Sequence, residues 1–239
     1  DRMEEESDAL AQGSMISKMR VDVNHPDGTT TWQTSAVLSK PDRTLIYQLE
    51  PEDDEGSMWL IVEQEDDDSR LWMYLPALGI AKELVTEEQR GGSFAGSSIS
   101  LEDIGGGDQS EDYDAVLVGE EALTIDEEER MAYVVESTAK PDANEDIVRI
   151  VLWVDKESFV MLKMEGYNDL GNLEQTLDVL ALAEFEGHLI AEQMVSRDVL
   201  EESQTTITIL ERRRSAEEIP DEVFDPENLA SFDPTAWGL

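Results

Sequence analysis

Apolar residues recur at every second position through most of this 239-residue chain. Residues 30–38 place Trp32, Thr34, Ala36 and Leu38 on one face, and residues 44–50 do the same with Leu45, Tyr47 and Leu49. Side chains alternate across a strand, so this period predicts half-buried β-strands rather than helices, whose apolar positions recur every three or four residues. Turn formers punctuate the runs: His25-Pro26-Asp27-Gly28 precedes the first, and Lys40-Pro41-Asp42 separates the two. The same reading predicts strands over 15–21, 57–63, 71–75, 81–85, 113–118, 131–137, 147–154, 159–167, 173–185, 188–198 and 205–210. Their connections are too short for the helical crossovers that parallel pairing needs. The expected fold is mainly β, a single strongly curved antiparallel sheet.

Helix is scarce. Residues 4–11 read as the end of an N-terminal helix, with short turns of helix at 100–104 and 226–232. A polar segment over 87–112, carrying Gly91-Gly92, Gly96 and Gly105-Gly106-Gly107, interrupts the strands as a loop or lid, and 215–239 reads as a C-terminal tail. Residues 147–154 are apolar at successive positions, which predicts cover on both faces. No repeat or low-complexity linker divides the chain, so residues 1–239 are expected to form one domain. No run of 18 apolar residues offers a membrane-spanning helix. A start at Asp1 is read as a mature or trimmed product.

Charge narrows the available functions. Asp and Glu number 57 against 17 Lys and Arg, for a net charge of −40. Such a field repels phosphate backbones and anionic lipid surfaces, which excludes nucleic acid and direct binding to acidic membranes as partners. Disorder shares this acidity, but 40% hydrophobic residues with five Trp supply a core. The absence of cysteine removes disulfides, thiolate catalysis and thiolate metal sites. Acids spread from Glu4 to Asp233 fit a surface adapted to high salt, where the screening length falls to about 3 Å at about 1 M.

Candidate chemistry is sparse. Among 57 carboxylates close acidic pairs arise by chance, so a hydrolase built on such a pair has little support. His25 sits in a turn and His188 at a strand start after Gly187; two imidazoles cannot form a three-His zinc site, and no nucleophile motif accompanies them. Asp66-Asp67-Asp68 and the acidic run over 107–112 lack the calcium-loop spacing, and Gly105-Gly106-Gly107 lacks the Lys and Ser/Thr of a phosphate loop. Neither enzymatic activity nor a cofactor is expected. The residues left over are apolar: Trp59, Trp72, Trp153, Tyr74 and Phe159, with Met15, Met19, Met161 and Met194 among the methionines, side chains suited to filling a core or to lining a cavity for variable apolar cargo.

The order of landmarks resembles a known family. Lys40-Pro41-Asp42-Arg43, Gly56-Ser57-Met58-Trp59-Leu60, and Leu71-Trp72-Met73-Tyr74-Leu75-Pro76-Ala77-Leu78-Gly79 are similar to the outer-membrane lipoprotein-sorting proteins, relatives of the periplasmic carrier LolA. Gly92-Ser93-Phe94-Ala95-Gly96-Ser97-Ser98, then Leu101-Glu102-Asp103-Ile104, then Val151-Leu152-Trp153-Val154-Asp155-Lys156 and Lys163-Met164-Glu165-Gly166-Tyr167 extend the likeness along nearly the whole chain. The resemblance implies an unclosed β-barrel with a small helical lid, a periplasmic location, and a non-enzymatic carrier of lipoprotein acyl chains or other lipids. It also implies an export permease of the resistance-nodulation-division type as a partner. Lys82 and Arg90, with Glu83 nearby, are the thinned remainder of the family's basic positions after the Pro-x-x-Gly turn. On this reading the cavity is lined by Trp32, Leu45, Tyr47, Leu49, Met58, Leu60, Val62, Met73, Leu75, Ile150, Leu152, Leu162 and Met164, with Phe94 as part of a gate, and the protein is a monomer. A slip of one residue exchanges faces, replacing Leu60 by Trp59 and Ile150 by Trp153. The rival reading is a permease accessory with a filled core and no cargo.

Overall fold

The computed structural model describes residues 10, 12–64, 69–86, 89, 94, 97, 99, 112–141, 143 and 147–239. Thirteen strands follow in chain order. They are β1 (Met15–Asn24), β2 (Thr30–Lys40), β3 (Arg43–Glu50), β4 (Met58–Val62), β5 (Arg70–Leu75), β6 (Ile80–Leu84), β7 (Tyr113–Ile125), β8 (Glu128–Ala139), β9 (Arg149–Asp155), β10 (Met161–Tyr167), β11 (Leu173–Phe185), β12 (His188–Asp198) and β13 (Ser203–Arg214). They hydrogen-bond in the order β6-β5-β4-β3-β2-β1-β13-β12-β11-β10-β9-β8-β7. The sheet is antiparallel, and β6 and β7 stand at opposite ends of the order, so it does not close on itself. This is the expected mainly β, unclosed antiparallel architecture.

Each strand predicted from the period of two is present, and several run further than predicted, β7, β8 and β13 most of all. β7 and β8 extend to a two-residue turn because Asp126 and Glu127 both adopt positive φ, 49° and 65°, the left-handed geometry that matches strand twist in a tight hairpin. β13 continues to Arg214. The predicted helix over 4–11, the turn at 100–104, the acidic run Asp66-Asp67-Asp68 and Gly105-Gly106-Gly107 lie outside the described residues, apart from Leu10.

The chain forms two compact units, to which β1 and β13 both contribute residues. One comprises Asp1–Leu10, Val23–Thr31 and Asp108–Thr208. Its core packs Ile125, Ala132, Val151, Trp153, Leu162 and Val179 together. The indole N–H of Trp153 donates to Glu121 Oε2 at 2.8 Å, so the ring is buried without orphaning its one donor. After β9 the buried Asp155 carboxylate accepts from the backbone N–H of Glu157 and Ser158 and from the Ser158 hydroxyl, closing the turn into β10. Burial pushes the Asp155 carboxyl up, but these donors and the nearby Arg130 guanidinium hold it below its ordinary value. His25 belongs to a turn of this unit, its ring nitrogen 2.9 Å from the Thr31 hydroxyl.

The other unit comprises Ala11–Asp22, Trp32–Gly107 and Ile209–Leu239. Its residues 216–239 do not form a free tail. They make three short 3₁₀ turns, Asp221–Phe224, Leu229–Ser231 and Pro234–Trp237, in place of the single helix predicted over 226–232. Pro220 and Pro234 lead into two of them, and the Asp233 side chain accepts from Thr235 N–H at 3.0 Å, capping the last. Ile219, Phe224 and Leu229 from this segment are buried against strand residues. Full burial of each such side chain contributes about 1.5–3 kcal/mol.

Candidate functional site

Cross-strand register sorts the side chains of β2–β5 onto two faces. Leu38 opposes Leu45, Leu45 opposes Leu60, and Leu60 opposes Trp72; alongside them Tyr47 opposes Met58 and Met58 opposes Tyr74. Directly opposed residues point to the same side of a sheet, so these form one continuous apolar face. It is this face that Ile219, Phe224 and Leu229 cover, with Val223, Phe232, Trp237 and Leu239 packed at the margin.

Polar contacts fix the C-terminal segment there. Ser14 Oγ accepts the buried N–H of Ile219 at 2.9 Å, and Arg213 donates to the Trp237 carbonyl at 2.5 Å. Lys40 donates to Asp221, Arg43 stands 3.8 Å from the same carboxylate, and the Lys40 ammonium lies 5.5 Å from the centre of the Phe224 ring. The Lys40 hydrogen bond, then Arg43, holds the Asp221 carboxyl below its ordinary range. Burial, with the Glu55 carboxylate adding to it, pushes the Tyr47 hydroxyl up. Open clefts lie beside the segment, one of about 390 Å³ against Ile16, Leu49, Arg213 and Leu239 and another of about 580 Å³ against Trp72, Tyr74, Ile80 and Ala230.

The opposite face has a different character. Val37 opposes Ile46, Ile46 opposes Trp59, Trp59 opposes Met73, and Ile61 opposes Leu71. Ile46, Ile61 and Leu71 are almost fully buried, and Phe94 packs edge-on against Trp59 with ring centres 5.1 Å apart. Polar residues also stand on this face: Ser39 opposes Thr44, Thr44 opposes Ile61, and Lys82 opposes Met73. Ser35 opposes Gln48, and Gln33 shares their side of β2 because side chains alternate along a strand. Gln33, Ser35 and Gln48 are 5%, 0% and 4% exposed.

The residues expected to line one cavity are therefore divided. Leu45, Tyr47, Met58 and Leu60 lie buried on the first face beneath the chain's own C-terminal segment, with Leu49 and Val62 packed against them. Met73, and Leu75 two residues on, lie on the second face, where Phe94 also sits; the β5 residues on the first face are Trp72 and Tyr74. Trp32 is 41% exposed, its ring 4.5 Å from the Arg20 guanidinium. Leu162 belongs to the core of the other unit, whereas Ile150, Leu152 and Met164 are half-buried and outside that core, which takes Val151 and Trp153 from β9 instead. The grouping onto one face is corrected for a physical reason: both sides of β4, β5 and β9 are apolar, so alternation alone leaves their phase open. Sequence reading missed Gln33 and Ser35, whose signal was polarity at inward positions between Trp32 and Val37. It also missed the anchors Ile219, Phe224 and Leu229, whose signal was isolated large apolar residues in an acidic, proline-punctuated run.

Among the described residues no group of three or more His, Asp or Glu is arranged to hold a metal ion. Among them, too, no helix is long and apolar enough to cross a membrane, which says nothing of membrane-crossing strands.

The fold is shared with solved structures. A DUF1329 family protein from Desulfovibrio piger is 25% identical, with 95% of each chain covered and a TM-score of 0.82. A protein described as a putative outer membrane lipoprotein-sorting protein domain, from Vibrio parahaemolyticus, is 20% identical over 96% of this chain and 97% of its own, with a TM-score of 0.80. The LolA superfamily protein NE2245 from Nitrosomonas europaea is 20% identical over 94% and 96%, with a TM-score of 0.69. No curated protein matches the sequence. A family model described as "-like: Uncharacterized protein" matches residues 40–231. Since that match spans most of the chain, the protein belongs to this uncharacterized-protein family, and its fold is that of the LolA-like lipoprotein-sorting proteins.

Proposed function

We propose that the protein is a non-enzymatic periplasmic carrier that holds the acyl chains of lipoproteins or other lipids against the second face of β2–β5. The observation that carries this reading is a second apolar face on β2–β5, besides the one that the C-terminal segment covers. The first is satisfied by the chain's own Ile219, Phe224 and Leu229. The second presents Val37, Ile46, Trp59, Ile61 and Met73, with Phe94 against Trp59. Burying an acyl chain on such a surface contributes about 0.8 kcal/mol per methylene, so a dozen supply on the order of 10 kcal/mol before ordering costs, without any catalytic group. Of the cavity residues expected from sequence, Met73, Leu75 and Phe94 serve this face. Ile46 and Ile61 are 1% and 3% exposed, so loading requires the groups that screen them to move aside. The name of the Vibrio parahaemolyticus structure supports lipoprotein sorting as the setting. A protein of net charge −40 meets its membrane partner, a permease included, through apolar contacts or through basic residues supplied by that partner.

Purification without detergent followed by native mass spectrometry tests the proposal: a bound acyl lipid, lost on denaturation, is the expected result. Protein that carries no lipid and takes none up from a fatty-acid probe favours the second reading, an accessory module with a filled interior. The packing of the C-terminal segment into the first face is the observation on that side.

A further inference from the structure

Gln33 and Ser35 sit side by side on the second face, yet Gln33 Nε2 and Ser35 Oγ have no hydrogen-bond partner. A buried amide or hydroxyl without a partner is costly, because the hydrogen bonds it made to water are not replaced. Their neighbour Gln48 is engaged, with its side-chain nitrogen 3.4 Å from the Glu50 carbonyl. Next to them on the same face lie Val37 and Ile46, with Trp59 opposite Ile46. Two unspent polar groups, one a compulsory donor and the other able to donate, thus stand together beside the apolar row of Val37, Ile46 and Trp59.

We infer that Gln33 and Ser35 bind the carbonyl group that joins an acyl chain to the rest of the cargo, as an ester or an amide. The inference rests on the carrier reading and adds a polar subsite to it. The Gln33 amide donates to the carbonyl oxygen through Nε2, and the Ser35 hydroxyl donates to the same oxygen, which accepts two hydrogen bonds through its two lone pairs. The hydrocarbon then lies over Ile46 and Ile61. Such a site fixes where along its length the chain is held, which apolar contact cannot do, since that attraction has no direction. Free hydrocarbon leaves both groups unpaired and is bound less tightly.

The test compares methyl palmitate, N-methylpalmitamide and hexadecane as competitors of a fluorescent fatty-acid analogue on delipidated full-length protein. Wild type is expected to prefer at least one carbonyl-bearing probe over hexadecane by about tenfold, and the better of the two identifies the linkage. In the double variant Gln33→Leu, Ser35→Ala the preference disappears while hexadecane binds as well as or better than before. Thermal unfolding of the variant controls for folding, and its midpoint is expected to be unchanged or raised, because two unsatisfied groups have been removed. Equal binding of all three probes to wild type, or a preference that survives in the folded variant, overturns the subsite and leaves the carrier reading standing. If no probe displaces the analogue and none binds directly, the carrier reading falls and the subsite falls with it.

Discussion

The ring of Phe232 lies 5.3 Å from the ring of Tyr47, tilted by 43°. One residue comes from the last turns of the chain and the other from the middle of β3, so the pair joins the C-terminal segment to the apolar face it covers. Tilted aromatic pairs at this distance contribute about 0.5–1.5 kcal/mol beyond the area they bury. The segment is thus a structural part of its unit, which makes its anchors measurable.

Phe224 is 2% exposed and packs within the cluster beneath the segment. Phe224→Ala leaves a cavity that rigid strands cannot fill, at a cost of about 3–5 kcal/mol. Urea denaturation is expected to show that loss, and hydrogen exchange is expected to show faster opening of residues 216–239 than in wild type.

Ser14→Ala removes the acceptor of the buried Ile219 N–H. The orphaned donor is expected to cost about 1–3 kcal/mol, and Ser14→Thr, which keeps the hydroxyl, is expected to lose less. The ordering of the two variants in denaturation midpoint checks the assignment to the hydrogen bond rather than to volume.

Asp221 is held below the ordinary carboxylate range by its hydrogen bond from Lys40 and by Arg43. A depressed folded value means that its stabilisation is complete above the unfolded value near pH 4, and is lost as pH falls through the lower folded value. Asp221→Asn is therefore expected to lower stability modestly near neutrality, with the difference from wild type closing as pH falls below about pH 4. The Asp221 carboxylate is open to solvent, so the comparison belongs in low salt, where screening is weakest. Identical acid limbs in the two proteins would remove the ion pair from the account.

With a net charge of −40, the folded chain repels itself over distances that salt can screen. Raising salt from about 0.1 M to about 1 M shortens the screening length from about 10 Å to about 3 Å, and the thermal midpoint is expected to rise by several degrees. A midpoint that does not move between those conditions removes the case for adaptation to high salt.

Sequence alone determined the strands, because the period of two is a local property written by backbone geometry. The runs over 173–185 and 188–198 emerge as Leu173–Phe185 and His188–Asp198, bracketing Glu186 and Gly187, both at positive φ. The net charge of −40 is likewise a property of the sequence alone and acts whatever the fold. Only the tertiary structure decided which face each apolar residue serves. Trp59 and Leu60 are equally apolar neighbours, and nothing local distinguishes them; pairing of Leu60 with Leu45 and Trp72 sets one face, and contact between Trp59 and Phe94 marks the other. Residues 216–239 lack periodicity because 3₁₀ turns broken by prolines place one anchor at a time, so their role became visible only where Ile219, Phe224 and Leu229 meet strands far away in the chain. The orphaned Gln33 and Ser35 follow the same rule: polarity is a fact of sequence, whereas burial without a partner exists only once the sheet has formed.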